Sequence, residues 1–160
     1  MTAQCSYCAK KKCFFGDLGQ APDFCPTNQH PDLLEQSRVK LNDPDNRKMA
    51  QDVARTWKDY GKLTRVEETV LYARLKGCKK VGLAFCVGLS EEAEKMTNLL
   101  QNEGFETASV CCMCGGLSSE DVELPLEDKI VASPDIRQPM CNPIGQAAIL
   151  DAEGSELNII

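Results

Sequence analysis

Ten of the 160 residues are cysteine, at positions 5, 8, 13, 25, 78, 86, 111, 112, 114 and 141. A load this high has to be explained by disulfides, metal ligation or redox chemistry. The N-terminus, Met-Thr-Ala-Gln-Cys-Ser-Tyr-Cys-Ala-Lys-Lys-Lys, places its charges after the cysteines and lacks the apolar run of a secretion signal. The expectation is a cytoplasmic chain with reduced thiols, where spaced cysteines bind metal or do chemistry more often than they cross-link. The longest apolar run, Val81 to Leu89 broken by glycines, is too short to span a bilayer. With 42% hydrophobic and 26% charged residues the chain is globular in composition, which excludes low-complexity and disordered classes.

The formal charge of −6 disfavours a nucleic-acid surface, since only Lys10, Lys11 and Lys12 form a compact basic cluster. Those lysines have another use. Four thiolates on one zinc, or on a cluster core of charge +2, leave a site of about −2, and neighbouring lysines supply counter-charge.

Residues 1–30 are irregular and dense in Cys, Gly and Pro. Such a segment buries too little apolar surface to order itself, so bound metal is the expected source of its folding free energy. Residues 31–77 read as helical. Asp43-Pro44 is a cap followed by proline at the first helical position, and Met49, Val53, Trp57 and Tyr60 recur at helical spacing up to Gly61. Thr64 and Glu67 have the spacing of a reciprocal capping box, opening a helix through Val66, Val70, Leu71 and Leu75 that stops at Gly77. Arg65, Glu67 and Glu68 are explained by that helix start and an exposed face.

From residue 78 the pattern alternates. Val81 to Cys86 reads as a buried parallel strand, and Ser90 as the cap of a helix to Gly104. Phe105 to Cys112 reads as a second strand. A loop with a short strand at Ile130 to Ala132 follows, then a helix from Asn142-Pro143 to Gly154, and a strand beginning at Leu157. The expected fold is α/β: a metal knuckle (1–30), a helical region (31–77), and an α/β domain (78–160), with 31–160 as one structural unit. The sheet is expected to be small, doubly wound and mostly parallel, Rossmann- or flavodoxin-like.

Cys5, Cys8, Cys13 and Cys25 supply four thiolates within one short segment, with Pro26 after the last. The close Cys5/Cys8 pair suits a tetrahedral centre, and a Cys-Pro ending is shared with iron–sulfur ligation, so both zinc and iron–sulfur remain open. His30, the single histidine, reads as a solvated loop residue. Cys86, Cys111, Cys112, Cys114 and Cys141 are scattered in sequence, yet the expected topology brings them to the carboxyl ends of the strands, where open α/β sheets bind ligands. Cys111 and Cys112 can face one way only if the strand has already ended there. Gly115 and Gly116 permit unusual dihedrals beside Cys114. The helix near Pro143 is expected to lower the Cys141 pKa. Cys78, at the opposite edge, reads as structural. No phosphate-binding loop, nucleophile elbow or histidine zinc-hydrolase motif is present.

The segments Lys80-Val-Gly-Leu-Ala-Phe-Cys-Val-Gly-Leu, Glu103-Gly-Phe-Glu-Thr-Ala-Ser-Val-Cys-Cys and Met140-Cys-Asn-Pro-Ile-Gly-Gln-Ala, with the N-terminal cluster ending Cys25-Pro26, carry a resemblance. They are similar to a family of uncharacterised cysteine-rich proteins of bacteria and archaea, a domain of unknown function proposed to bind metal. The resemblance implies that Cys86, Cys111, Cys112 and Cys141 occupy motif positions and that Cys114 departs from the pattern. It also implies a segment past Leu157 carrying a further Cys and a His, beyond Ile160.

The functional expectation is a metal-binding protein, zinc or iron–sulfur, with a four-cysteine N-terminal site and a second thiolate site at the strand ends. Sulfur transfer or redox chemistry on a small sulfur-containing substrate would suit the second site. The alternatives are a soft-metal carrier, buffer or sensor, or a zinc-stabilised interaction module. No membrane partner is expected.

Overall fold

Proline placement sets the helices of the N-terminal half. In the computed structural model, which describes residues 2–19 and 21–160, α1 (Pro26–Gln29), α2 (Pro31–Leu41) and α3 (Pro44–Thr56) each begin on a proline. Its missing N–H would have no partner in a first turn anyway. Asp43 caps α3 by accepting from the amides of Asp45 and Asn46 at 3.1 and 3.3 Å. Helix α2 buries none of its residues, so it left no apolar periodicity in the sequence to announce it. In α3 the expected apolar face, Met49, Val53 and Trp57, stays substantially exposed, and the helix buries Asp52 and Thr56. Asp52, only 1% exposed, is neutralised within its own helix by Lys48 at 2.5 Å and Arg55 at 2.6 Å. A buried carboxylate is tolerable only when paired in this way, and the Lys48 hydrogen bond, ahead of both cations' charge, holds its pKa below the ordinary value.

The chain divides into two units, Met1–Lys58 and Asp59–Ile160. The second opens with α4 (Arg65–Lys76), whose capping box forms as the sequence predicts. The Glu67 amide donates to Thr64 Oγ1 at 3.3 Å, and Glu67 Oε2 accepts the Thr64 amide at 2.7 Å. Three strands follow: β1 (Lys80–Phe85), β2 (Glu106–Cys111) and β3 (Leu157–Ile159), all parallel, in the order β2-β1-β3. Helix α5 (Ser90–Asn102) links β1 to β2, and α6 (Pro143–Ala152) leads into β3. The protein is thus α/β with a small parallel sheet.

One face of the sheet makes the core, where Val70, Ala73, Val81, Leu100 and Phe105 pack with Met96, Leu157 and Ile159. Cys78 packs against this cluster. The other face lies under α6. At Gly82 an added Cβ would overlap Asn158 Oδ1 and sit 3.1 Å from Leu150 Cδ2, so helix and strand approach there only because the side chain is absent.

Two local expectations change. Ser90 is the first residue of α5 and donates to the Val87 carbonyl at 2.7 Å, closing the preceding 3-10 turn instead of capping the helix. Residues 130–132 form no strand. Ile130 is exposed, and the loop is instead pinned by Ser119 N to Gln138 O at 2.9 Å, Met140 N to Leu117 O at 2.9 Å, and an isolated antiparallel bridge between Ser118 and Pro139. An apolar pair with no sheet edge to join has nothing to satisfy its backbone as a strand.

Candidate functional site

The parallel register places Phe85 opposite Cys111, so the residues that follow, Cys86 and Cys112, emerge side by side at the carboxyl edge of the sheet. Strand β2 ends at Cys111, and the Cys112 amide donates to the Phe85 carbonyl at 2.8 Å as the chain leaves the pleat. That ending allows two consecutive cysteines to serve one site. The Asn142 amide then donates to the Cys112 carbonyl at 2.7 Å, bringing the segment that carries Cys141 alongside. Asn142 Oδ1 also caps α6 by accepting the Gly145 amide at 2.8 Å.

The thiols form one interacting set. Cys112 is buried, and its Sγ accepts the Val87 N–H at 3.4 Å. This amide is the chief reason its pKa lies below the ordinary thiol value. Burial opposes the shift, and the thiols of Cys141, Cys86 and Cys111 add to it. Cys111 Sγ accepts the Met113 N–H at 3.5 Å. Cys141 titrates in the opposite sense to the helix-dipole expectation. Hydrogen bonding to Cys112 and the negative charge of that sulfur raise its pKa, and burial and the charges of Cys86 and Cys111 push the same way. The structure therefore brings Cys86, Cys111, Cys112 and Cys141 together. Cys114 is turned away, its thiol directed to the Asn142 carbonyl at 3.7 Å, while Gly115 and Gly116 take the positive φ values of 79° and 62° expected of that turn.

Two functional elements left weaker traces in the sequence. Gln146 of α6 is 8% exposed and donates through Nε2 to the carbonyls of Phe85 at 3.1 Å and Val110 at 2.8 Å, clasping the ends of β1 and β2. A lone amide among Ile144, Ala147, Ala148 and Leu150 was its signal. A cavity of about 480 Å³ opens beside Cys86, Cys112 and Cys141. Leu83, Phe85, Leu89, Ala93, Met96 and Ile159 give it apolar walls. It lies between the ends of β1 and β3, where the strand order reverses across the sheet and where α/β sheets bind ligands.

In the N-terminal unit, Cys5 opens a 3-10 turn that closes with the Cys8 amide on the Cys5 carbonyl at 3.0 Å. The Gln4 amide reaches the Phe24 carbonyl at 3.3 Å, drawing the two ends of the knuckle together. Cys8, Cys13 and Cys25 line one cleft of about 20 Å³ with Lys10, Lys12 and Asp17. Hydrogen bonding to the Thr27 side chain and amide holds the Cys25 pKa below its ordinary value. His30 is exposed between α1 and α2. Among the described residues, no group of three or more His, Cys, Asp or Glu side chains is preset at metal-binding geometry. No helix among them is long and apolar enough to cross a membrane.

Residues 25–160 match the family described as "Protein of unknown function (DUF1847)". The chain belongs to the DUF1847 family. A curated relative, an uncharacterized protein of Methanocaldococcus jannaschii, is 34% identical over 158 residues, covering 98% of this chain and 74% of its own length. No solved structure matches this DUF1847 protein. The family match begins at Cys25, so it takes in the whole sheet-edge set and only the last cysteine of the N-terminal cluster.

Proposed function

We propose that this DUF1847 protein binds a soft metal centre, zinc or an iron–sulfur cluster, through Cys86, Cys111, Cys112 and Cys141 at the sheet edge. A second, N-terminal site would use Cys5, Cys8, Cys13 and Cys25. The observation that carries the reading is the convergence of four cysteines, from three separate chain segments, into one interacting set of thiols at the ligand-binding edge of a parallel sheet. Packing alone gives no reason for that coincidence. The donor chemistry fits: sulfur is the preferred ligand of zinc, copper(I) and iron–sulfur centres, and ligation requires thiolate, which the Val87 N–H and the neighbouring thiols favour at Cys112.

If three of these four thiolates held a four-iron cluster, one iron would stay open to a substrate sulfur, which would suit sulfur transfer or redox chemistry. The protein's own part is to hold Cys86 and Cys112 in register through the sheet, to fix Cys141 through the Asn142 amide, and to keep Cys112 dry. Lys10 and Lys12 beside the N-terminal cleft supply counter-charge for its thiolates. A carrier or sensor role is the second reading, favoured by the exposure of Cys86 and Cys141, which a metal-accepting partner could reach.

The test is metal and sulfide analysis of anaerobically prepared protein, repeated for Cys13→Ser and Cys141→Ser. Each variant is expected to lose a different fraction of the bound metal. Metal-free protein that also fails reconstitution, or unchanged stoichiometry in Cys141→Ser, would overturn the sheet-edge centre. Release of metal to a chelator without unfolding would favour the carrier.

A further inference from the structure

The cavity beside the sheet-edge thiols has a composition of its own. Its walls come from β1 (Leu83, Phe85), the 3-10 turn after it (Leu89), α5 (Ala93, Met96) and β3 (Ile159), all apolar. Three cysteines, Cys86, Cys112 and Cys141, stand at one end. Its volume of about 480 Å³ falls within the range of small-molecule sites. Among the described residues its lining holds one charged side chain, Glu92, and one amide, Gln146, and no Lys or Arg. An anionic ligand would therefore meet the Glu92 carboxylate with no Lys or Arg on the lining to compensate it.

We propose that this cavity is the substrate pocket of the sheet-edge centre, and that its ligand is a small, uncharged, largely hydrocarbon molecule with a terminal thiol. The sulfur would point at the cysteines and the hydrocarbon would fill the space between Leu83, Leu89, Ala93 and Met96. This rests on the metal reading for the sulfur end only, because the apolar walls stand independently of it. The chemistry excludes thiols whose recognition depends on a carboxylate or phosphate.

The test is calorimetric titration of anaerobically prepared full-length protein with four probes, with zinc, iron and sulfide quantified on the same samples. The probes are phenylmethanethiol, phenylmethanol, 2-mercaptoethanol and 4-(sulfanylmethyl)benzoate. Phenylmethanethiol is expected to bind at least about tenfold more tightly than each of the others, which lack in turn the sulfur, the ring and the neutrality. Leu89→Asp changes a half-exposed turn residue, so the fold tolerates it. It should remove the preference for phenylmethanethiol over 2-mercaptoethanol and leave metal content unchanged. Equal affinity for those two thiols, or an unaltered preference in Leu89→Asp, would overturn the pocket. A protein that takes up no metal yet binds phenylmethanethiol and phenylmethanol equally, both lost in Leu89→Asp, would refute the metal reading and the sulfur end while upholding the apolar site. Tighter binding of the benzoate would refute the neutral class.

Discussion

Gln146 is the side chain on which the geometry of the sheet edge most depends, and replacing it with leucine gives a quantity to work out. Leucine keeps most of the volume, so the change removes two hydrogen bonds without opening a large cavity. The two carbonyls suffer alike, because each keeps a backbone donor. Phe85 O keeps the Cys112 amide at 2.8 Å, and the parallel pairing of Ala84 with Val110 leaves Val110 O the Phe85 amide. Losing the Gln146 donor therefore costs each the net worth of one bond, about 0.5–1 kcal/mol. The total is about 1–2 kcal/mol, which for a unit near this size lowers Tm by roughly 4–16 °C. Thermal and urea unfolding followed by far-ultraviolet circular dichroism reads the change. Gln146→Glu sharpens it, because an ionised carboxylate facing two carbonyls can donate to neither. Its folded pKa must then lie above the unfolded value of about 4.3, so its stability is greatest below that pH and falls as pH rises toward the folded pKa. A loss below about 0.5 kcal/mol in Gln146→Leu, or a Gln146→Glu variant that gains stability from pH 4 to 7 relative to wild type, would refute the clasp.

Thr64→Ala removes the side-chain half of the capping box on α4 and should cost about 1 kcal/mol in urea unfolding, whereas Thr64→Ser should cost little. Gly82→Ala should destabilise by about 1–3 kcal/mol because the new methyl meets Asn158 and Leu150, and adding Asn158→Ala should recover much of the loss. The Lys129 ammonium beside Glu120 pulls that carboxyl down to about 2. A carboxylate-detected NMR titration should therefore show Glu120 still ionised at pH 3, and Lys129→Met should move its midpoint up toward the ordinary glutamate range. With the pKa depressed, whatever stability the pair contributes is present above the unfolded glutamate pKa and is lost as pH falls toward about 2.

The elements most legible in the sequence are those whose signals are local. The capping box at Thr64, the Asp43-Pro44 start of α3, the Asn142-Pro143 start of α6 and the continuous apolar strand at Val81 each declare themselves within a few residues, and each is present. The convergence of Cys86, Cys111, Cys112 and Cys141 could be inferred because a parallel α/β topology sends all strand ends to one edge. The remaining features depend on contacts that sequence spacing does not encode. Helix α2 has no buried face and so no period. Asp52 took the buried position that apolar spacing assigned to its neighbours, since an ion pair supplied by Lys48 and Arg55 is not visible as hydrophobicity. The direction of the Cys141 shift depends on which sulfur lies nearest, and Cys114 differs from its neighbours only through the path of a turn.

The lateral alignment of Cys86 with Cys112 follows from the pairing of Phe85 with Cys111, and it restricts how a gene for this protein can change in length. One codon inserted in β1 or β2 would move its cysteine about 3.3 Å along the sheet and turn it to the opposite face. Tolerated insertions and deletions are therefore confined to places such as the 117–139 loop, whose excursion returns through the Met140 and Asn142 amides whatever its length. The spacings from Gly82 to Cys86 and from Phe105 to Cys112 act as fixed rulers, and a homologous chain that breaks either one cannot assemble the same set of sulfurs.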